Sequence, residues 1–273
     1  MLIGVASIQF GAALAATLFS QAGPAGTALL RLAFAALILL AIARPSVRAH
    51  PPARLRLAAL LGVVLAAMNL SFYEALARIP LGAAVTIEFI GPLGVAVASS
   101  RRALDLLWVA LAATGIALLS GGLHGAHSVA GLALAALAGC FWAAYILINS
   151  RAAAAFSGAS GLALSMTVGA SVVLGPGLAG AGLNLFDPKL LILGIAVALL
   201  GSVIPYSLET EALRRLRAGV FSVLMSLEPA VAALAGWIVL GQRLSAAQAV
   251  AIALVVIASA GASRAGGAPP VEV

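Results

Sequence analysis

Charged residues are scarce in this sequence: 8% of its 273 residues are Asp, Glu, Lys or Arg, while 63% are hydrophobic. With a mean hydropathy of +1.17, this composition excludes a soluble globular domain. The bilayer core offers no water to backbone groups, so spanning segments must be helices or a closed barrel. The Ala- and Leu-rich runs lack the period-2 alternation of barrel strands. We therefore predict an all-α, polytopic membrane protein.

Residues that carry catalysis or hold metals are also few. The single cysteine, Cys140, lies in an apolar run and provides neither a disulfide framework nor a cysteine metal site. His124 and His127 are three residues apart, but no cysteine or acid stands near them. No predicted span contains a histidine, and neither a GxSxG nor a Walker motif occurs. We expect no enzyme, no metal and no cofactor, whereas a passive pore or a structural subunit stays open on composition alone.

Acidic residues are outnumbered, which leaves a formal net charge of +7. The basic residues are scattered through short loops, a pattern that does not indicate nucleic-acid binding. Their expected partner is the anionic inner leaflet of the lipid bilayer.

Ten apolar segments are long enough to cross a membrane, which takes roughly 17 to 25 residues. Charges, prolines and glycine clusters separate them. They are 2–21, 26–43, 57–76, 81–99, 104–120, 130–149, 160–178, 190–208, 217–240 and 245–262.

Lysine and arginine positions predict the orientation, because cytoplasmic loops attract them. With both termini inside, eleven fall in inner loops and three in outer loops, and Arg31 stays within helix 2. The inner set is Arg44, Arg48, Arg54, Arg56, Arg101, Arg102, Arg151, Arg214, Arg215, Arg217 and Arg264; the outer set is Arg78, Lys189 and Arg243. We predict an N-in, C-in topology.

An internal repeat relates the two halves. Residues 74–92, "EALARIPLGAAVTIEFIGP", align without gaps to residues 211–229, "EALRRLRAGVFSVLMSLEP". Each half then holds five helices, and an odd number makes the second half run upside down. Such inverted repeats are typical of secondary transporters. The predicted domains are a first repeat (1–120), a periplasmic connecting loop (121–129), a second repeat (130–262) and a cytoplasmic tail (263–273).

Several motifs resemble a known family. "EFIGP" (88–92), "SSRRALD" (99–105) and "LEPAVAAL" (227–234) are similar to segments of the EamA-type ten-helix carriers of the drug/metabolite transporter superfamily. Among these the chain most resembles the bacterial inner-membrane threonine/homoserine exporters. The resemblance implies export of small amino acids across the cytoplasmic membrane, coupled to protons. Other EamA-type substrates, including drugs and metabolites, or import remain the alternative. Gln242 stands where these carriers commonly have Glu.

A carboxylate and a helix breaker share one apolar run. Glu88 lies seven residues after Leu81, about 10 Å along the helix axis. Pro92 has no N–H to donate to the Glu88 carbonyl, so we expect a kink there. A buried acid is costly in a membrane and is usually functional. Glu88 is predicted to contact the α-ammonium group of the substrate or to exchange a proton; a structural pair with Arg31 is the alternative.

The second half offers a related arrangement at Glu228 and Pro229, for which a general packing role competes with a role in transport. Arg31 is predicted either to snorkel to the outer face, to anchor a substrate carboxylate, or to pair with Glu88 or Glu228. Glu74 and Arg78 are expected to form an i, i+4 pair.

Neutral polar and aromatic residues complete the predicted site as a cavity lining. Asn69 and Tyr73 share one helix face, and Trp142, Tyr145 and Asn149 share another. The predicted substrate or coupling residues are Glu88, Asn69, Tyr73, Trp142, Tyr145, Tyr206, Arg31, Gln9 and Glu228. Small residues at four-residue spacing (Gly131, Ala135, Gly139) permit close helix packing within one chain or between two, so a monomer and a homodimer both stay open.

Overall fold

The computed structural model describes residues 2–98, 104–122, 129–208 and 225–265. Within these ranges the secondary structure is helical, and no strand occurs. The predicted all-α class is confirmed for this part of the chain. Arg101, Arg102, Arg214, Arg215 and Arg217 lie outside the described residues, as do His124, His127 and most of the repeat segment 211–229.

The first six helices follow the predicted spans closely. They are α1 (Leu2–Thr17), α2 (Phe19–Ala43), α3 (Pro52–Leu76), α4 (Leu81–Glu88), α5 (Ile90–Ala98) and α6 (Leu104–Gly122). Leu18 separates α1 from α2. The break predicted between the spans 2–21 and 26–43 falls at Gly23, whose φ of +65° interrupts α2 directly before Pro24. A left-handed residue before a proline ends one helical run and starts another.

The remaining α-helices of the described residues are α7 (Val129–Ala155), α8 (Ser160–Ala181), α9 (Pro188–Ala198), α10 (Glu228–Leu240) and α11 (Ala246–Ala265). A π-helical segment, Leu199–Val203, continues α9, and helical structure extends to Leu208. Asp187 caps α9 by accepting a hydrogen bond from the Lys189 N–H at 2.8 Å, and Pro188 occupies the first turn, where its missing N–H costs nothing.

Five described helices are long and apolar enough to cross a membrane: Phe19–Ala43, Pro52–Leu76, Val129–Ala155, Ser160–Phe186 and Pro188–Leu208. Four shorter apolar helices accompany them: Leu2–Thr17, Leu81–Val95, Glu228–Leu240 and Ala246–Gly261. The chain is therefore a multi-pass membrane protein.

Two buried apolar clusters organise the packing. In the first, α2 and α3 pack against α8, and α9 packs against α2. In the second, α1 and α4 pack against α10, and α3 against α7. Helices α6 and α11 pack against each other beside them.

The stripe of small residues on α7 is used within the chain. Gly131, Ala135 and Gly139 are all buried. A Cβ added at Gly139 would lie 2.6 Å from the Glu88 carbonyl oxygen, closer than side chains approach. Gly139 thus lets α7 touch the backbone at the end of α4, the position of the candidate carboxylate.

Replacing Gly139 with alanine should therefore destabilise the protein, by about 1–3 kcal/mol, because the added methyl group forces α7 away from α4. Gly94→Ala is the matched control, since nothing lies within 4 Å of a Cβ there and alanine is the better helix former. The measurement is the midpoint of thermal unfolding in detergent. Equal midpoints for the two variants would contradict the close contact.

Candidate functional site

A cavity lies where the two apolar clusters meet. Its volume is about 70 Å³, counted as the space open to the centre of a water molecule. This exceeds the roughly 10–15 Å³ that one water needs. The lining residues come from α1, α2, α3, α4, α7, the extension of α9 and the start of α10: Ile8, Gln9, Ala12, Arg31, Met68, Asn69, Phe72, Val85, Glu88, Trp142, Tyr145, Tyr206, Met225 and Glu228.

Eight of the nine predicted site residues line this one cavity: Gln9, Arg31, Asn69, Glu88, Trp142, Tyr145, Tyr206 and Glu228. The ninth, Tyr73, has no exposed surface, and its hydroxyl accepts a hydrogen bond from Arg31 Nη1. Asn149 also lies outside the lining, and its Nδ2 donates to the Tyr145 hydroxyl at 3.2 Å. The structure thus brings together residues up to 219 positions apart, as in Gln9 and Glu228.

Glu88 ends α4 directly before the helix is interrupted at Phe89. The side chain is 8% exposed, and that surface faces the cavity. No residue in the described ranges donates a hydrogen bond to its carboxylate or forms an ion pair with it. The Glu88 carboxylate is therefore placed to receive a proton or an ammonium group.

Arg31 is buried in the protein, with 4% of its surface exposed. The expectation that it snorkels to the outer face is wrong, because its three hydrogen bonds hold it inside. Nε donates to the Ser202 hydroxyl at 3.1 Å, Nη1 to the Tyr73 hydroxyl at 3.2 Å, and Nη2 to the Gly201 carbonyl at 2.5 Å. None of these partners is a carboxylate. The expected ion pair with Glu88 or Glu228 is also wrong for the described residues, although Arg31 and Glu88 are near enough to attract each other.

The π-helical segment Leu199–Val203 supplies the Arg31 partners. Such segments often occur at functional sites. Gly201 belongs to it, and a Cβ there would lie 3.2 Å from the guanidinium carbon. On the opposite side Ser7 donates to the Leu200 carbonyl at 2.8 Å, and Gly11 allows α1 to approach the same backbone. The sequence analysis missed Gly201 and Ser202, because glycine and serine are common in membrane helices and do not stand out in an apolar run.

Gln9 and Glu228 form a second buried polar pair. Gln9 Nε2 donates to Glu228 Oε2 at 3.3 Å. Glu228 stands in the first turn of α10, where the partial positive charge of the helix stabilises a carboxylate. The two acids of the cavity differ in their partners: Glu228 accepts a hydrogen bond from Gln9, whereas no residue in the described ranges donates one to the Glu88 carboxylate.

Aromatic rings form one wall of the cavity. Trp142 meets Phe89 edge to face, with 5.3 Å between the ring centroids. Tyr145 and Tyr206 are 6.3 Å apart. Asn69 donates its Nδ2 to the Leu65 carbonyl of its own helix at 2.8 Å. These contacts fix the side chains around the charged groups.

The helix interruptions lie at corresponding places. One falls at Phe89, three residues before Pro92, and the other at Ser226–Leu227, three and two residues before Pro229. Pro229 stands in the first turn of α10. A glutamate of the cavity lining lies beside each interruption: Glu88 beside the first and Glu228 beside the second.

Gln242 has a packing role. Its Oε1 accepts a hydrogen bond from the Leu81 N–H at 3.0 Å, which caps the first turn of α4. Amide and carboxylate oxygens both accept such a bond. Gln242 thereby joins the C-terminal end of α10 to the start of the helix that carries Glu88.

The ion pair expected at the end of α3 is present. Glu74 and Arg78 form the expected ion pair at 2.5 Å. The described ranges contain no cluster of three His, Cys, Asp or Glu residues that could hold a metal.

Comparisons with known proteins agree with each other. The model of the EamA-like transporter family matches residues 129–264. The threonine/homoserine exporters RhtA of Escherichia coli (strain K12) and Salmonella typhimurium (strain LT2) are each 43% identical over 266 residues, which cover 96% of this chain and 90% of theirs. A solved crystal structure shares the fold, with a TM-score of 0.67, 19% identity, and coverage of 97% of this chain and 96% of that one.

The Arg31 network predicts that Arg31→Lys is not a conservative change. A lysine ammonium cannot reach Ser202, Tyr73 and Gly201 together in a planar fork, so at least one buried group loses its partner. The expected loss is about 1–3 kcal/mol of stability, measured as a lower unfolding midpoint in detergent. Arg44→Lys is the control, because Arg44 is exposed and its side chain donates from Nε to the Ala41 carbonyl. An unchanged midpoint for Arg31→Lys contradicts the network.

Proposed function

Since this chain belongs to the EamA-type drug/metabolite transporters, near the threonine/homoserine exporters RhtA, we propose that it exports small amino acids across the bacterial cytoplasmic membrane. The observation that carries the proposal is 43% identity over 96% of the chain to proteins named for threonine and homoserine export. The transported substrate is a threonine- or homoserine-like amino acid. Transport is secondary, by alternating access, and is coupled to the proton gradient.

The charges of the cavity suit a zwitterion. An amino acid carries one ammonium and one carboxylate. The cavity carries one guanidinium, Arg31, and two carboxyl groups: Glu228 holds the Gln9 amide, and Glu88 lines the cavity without an ion pair to Arg31. The Glu88 carboxylate either binds the α-ammonium group of the substrate or takes up and releases a proton. Arg31 uses three hydrogen bonds to its protein partners, and a guanidinium has five N–H groups, so two remain for the substrate carboxylate. Separate charges of opposite sign give both ends of the substrate a partner.

The broken helices account for movement in the proposed mechanism. Helix α4 packs against α10, and each is interrupted beside a cavity glutamate. The two repeats, 1–120 and 130–262, rock against each other around this site, which exposes the cavity to one side of the membrane and then to the other. A cavity formed within one chain is sufficient for this mechanism, in a monomer or a homodimer.

Loop contacts support ten crossings with both termini inside. The Asn184 side chain donates to the Gln21 carbonyl at 3.3 Å, and Gln242 caps α4 at Leu81; both contacts join loops assigned to the outside. The rings of His50 and Phe156, at 5.0 Å, join two loops assigned to the inside. Basic loop residues give the direction.

Glu88→Gln should abolish most transport, because a neutral amide cannot balance the ammonium charge or carry the proton. We expect wild-type protein in proteoliposomes to show saturable counterflow of labelled threonine and homoserine, driven by an imposed proton gradient. The variant should lose about tenfold to a hundredfold in rate at low substrate concentration, the equivalent of a charged hydrogen bond.

Glu74→Gln is the matched control, since it neutralises an acid of the same helix bundle that lies in an exposed pair with Arg78 and costs little. If Glu88→Gln transports as well as wild type at every pH, the site assignment is wrong. If wild type moves no amino acid but does move other metabolites or drugs, or moves amino acids only inward, the substrate or the direction is wrong.

The orientation predicts that fluorescent protein fused to the C-terminus folds and fluoresces, because that fusion remains in the cytoplasm. Alkaline phosphatase fused within residues 121–129 should be active, because the predicted connecting loop faces the periplasm. The reverse pattern of activities would contradict the N-in, C-in topology.

A further inference from the structure

Gln9, a residue of the cavity lining, has a side-chain oxygen without a hydrogen-bond partner among the described residues. Gln9 Oε1 is buried without a hydrogen bond in the described part of the chain, and Gln9 as a whole is 4% exposed. A buried amide oxygen without a donor costs free energy, so such an atom at a binding cavity points to a group that arrives with the ligand.

The orientation of the Gln9 amide is fixed by its neighbour. Gln9 Nε2 donates to Glu228 Oε2 at 3.3 Å, and an amide NH₂ group can only donate hydrogen bonds. The amide oxygen is then presented as an acceptor, and only a donor can satisfy it.

The zwitterionic groups of the substrate already have partners in Glu88 and Arg31. What remains on a small hydroxylated amino acid is the side-chain O–H, which is a donor. The structure assigns Gln9 as a specificity-determining residue: its Oε1 accepts a hydrogen bond from the substrate's side-chain hydroxyl, with Glu228 acting as a positioning residue that holds the amide. This assignment rests on the proposed amino-acid export.

The comparison of threonine with valine tests the assignment, because valine replaces the hydroxyl with a methyl group of similar size. Wild type in proteoliposomes should transport threonine with a KM about tenfold lower than that for valine, the effect of one neutral hydrogen bond. Gln9→Met keeps the length of the side chain but loses the amide. In this variant the KM values for threonine and valine should become equal within about twofold, chiefly through a rise for threonine.

Ser7→Ala is the matched control on the same helix. Ser7 lies two residues before Gln9 and outside the cavity lining, and it bonds to the Leu200 carbonyl. This variant should keep the wild-type ratio of the two KM values. Continued transport of valine by Gln9→Met shows that the variant is folded.

The outcomes separate this inference from the proposed function. If wild type transports neither threonine nor valine, the proposed function fails first. If wild type transports threonine and valine with equal KM, Gln9 does not bind the hydroxyl. The wild-type measurement alone then overturns the inference. If Gln9→Met raises both KM values by the same factor, Gln9 binds a group common to all amino acids. If Gln9→Met keeps the wild-type preference, the hydroxyl is recognised elsewhere.

Discussion

The burial of the Arg31 guanidinium is the constraint on which the site depends. A charge placed among apolar helices is tolerated only when its N–H groups are satisfied. Three of the five Arg31 N–H groups meet this condition through Ser202, Tyr73 and the Gly201 carbonyl, and the other two are those proposed to bind the substrate carboxylate. The π-helical segment provides a carbonyl in the required position, and the small residues Gly201 and Gly11 let α2 and α1 reach it. Three helices are thereby joined around one charge.

The position of each acid within its helix determines its part in the site. Glu228 begins α10 and holds the Gln9 amide. Glu88 lies at the interruption before Phe89, faces the cavity and stays without a hydrogen-bond donor in the described residues. Both positions follow from helix interruptions upstream of Pro92 and Pro229.

Much of the site was predictable from the few polar and charged residues within the apolar segments. A polar or charged residue within an apolar run is expensive in a membrane and needs a reason to be there. That argument selected Gln9, Arg31, Asn69, Glu88 and Glu228, and all of them line one cavity. It failed for the partners of Arg31, since glycine and serine are common in membrane helices and Gly201 and Ser202 raise no such signal. It also failed for Gln242, which looked like a departure in a loop and instead caps α4.

The sequence by itself determined the class of protein, the approximate positions of its helices and the set of polar residues that the membrane must accommodate. These follow from local properties: hydropathy over about 20 residues, proline's missing N–H, and the cost of a buried charge. The tertiary structure alone decided which of these residues meet. Whether Arg31 pairs with an acid or with a π-helical carbonyl, and which end of the Gln9 amide faces Glu228, depends on contacts across as many as 219 positions. No local pattern encodes such distances, because helix packing is set by the fit of whole faces.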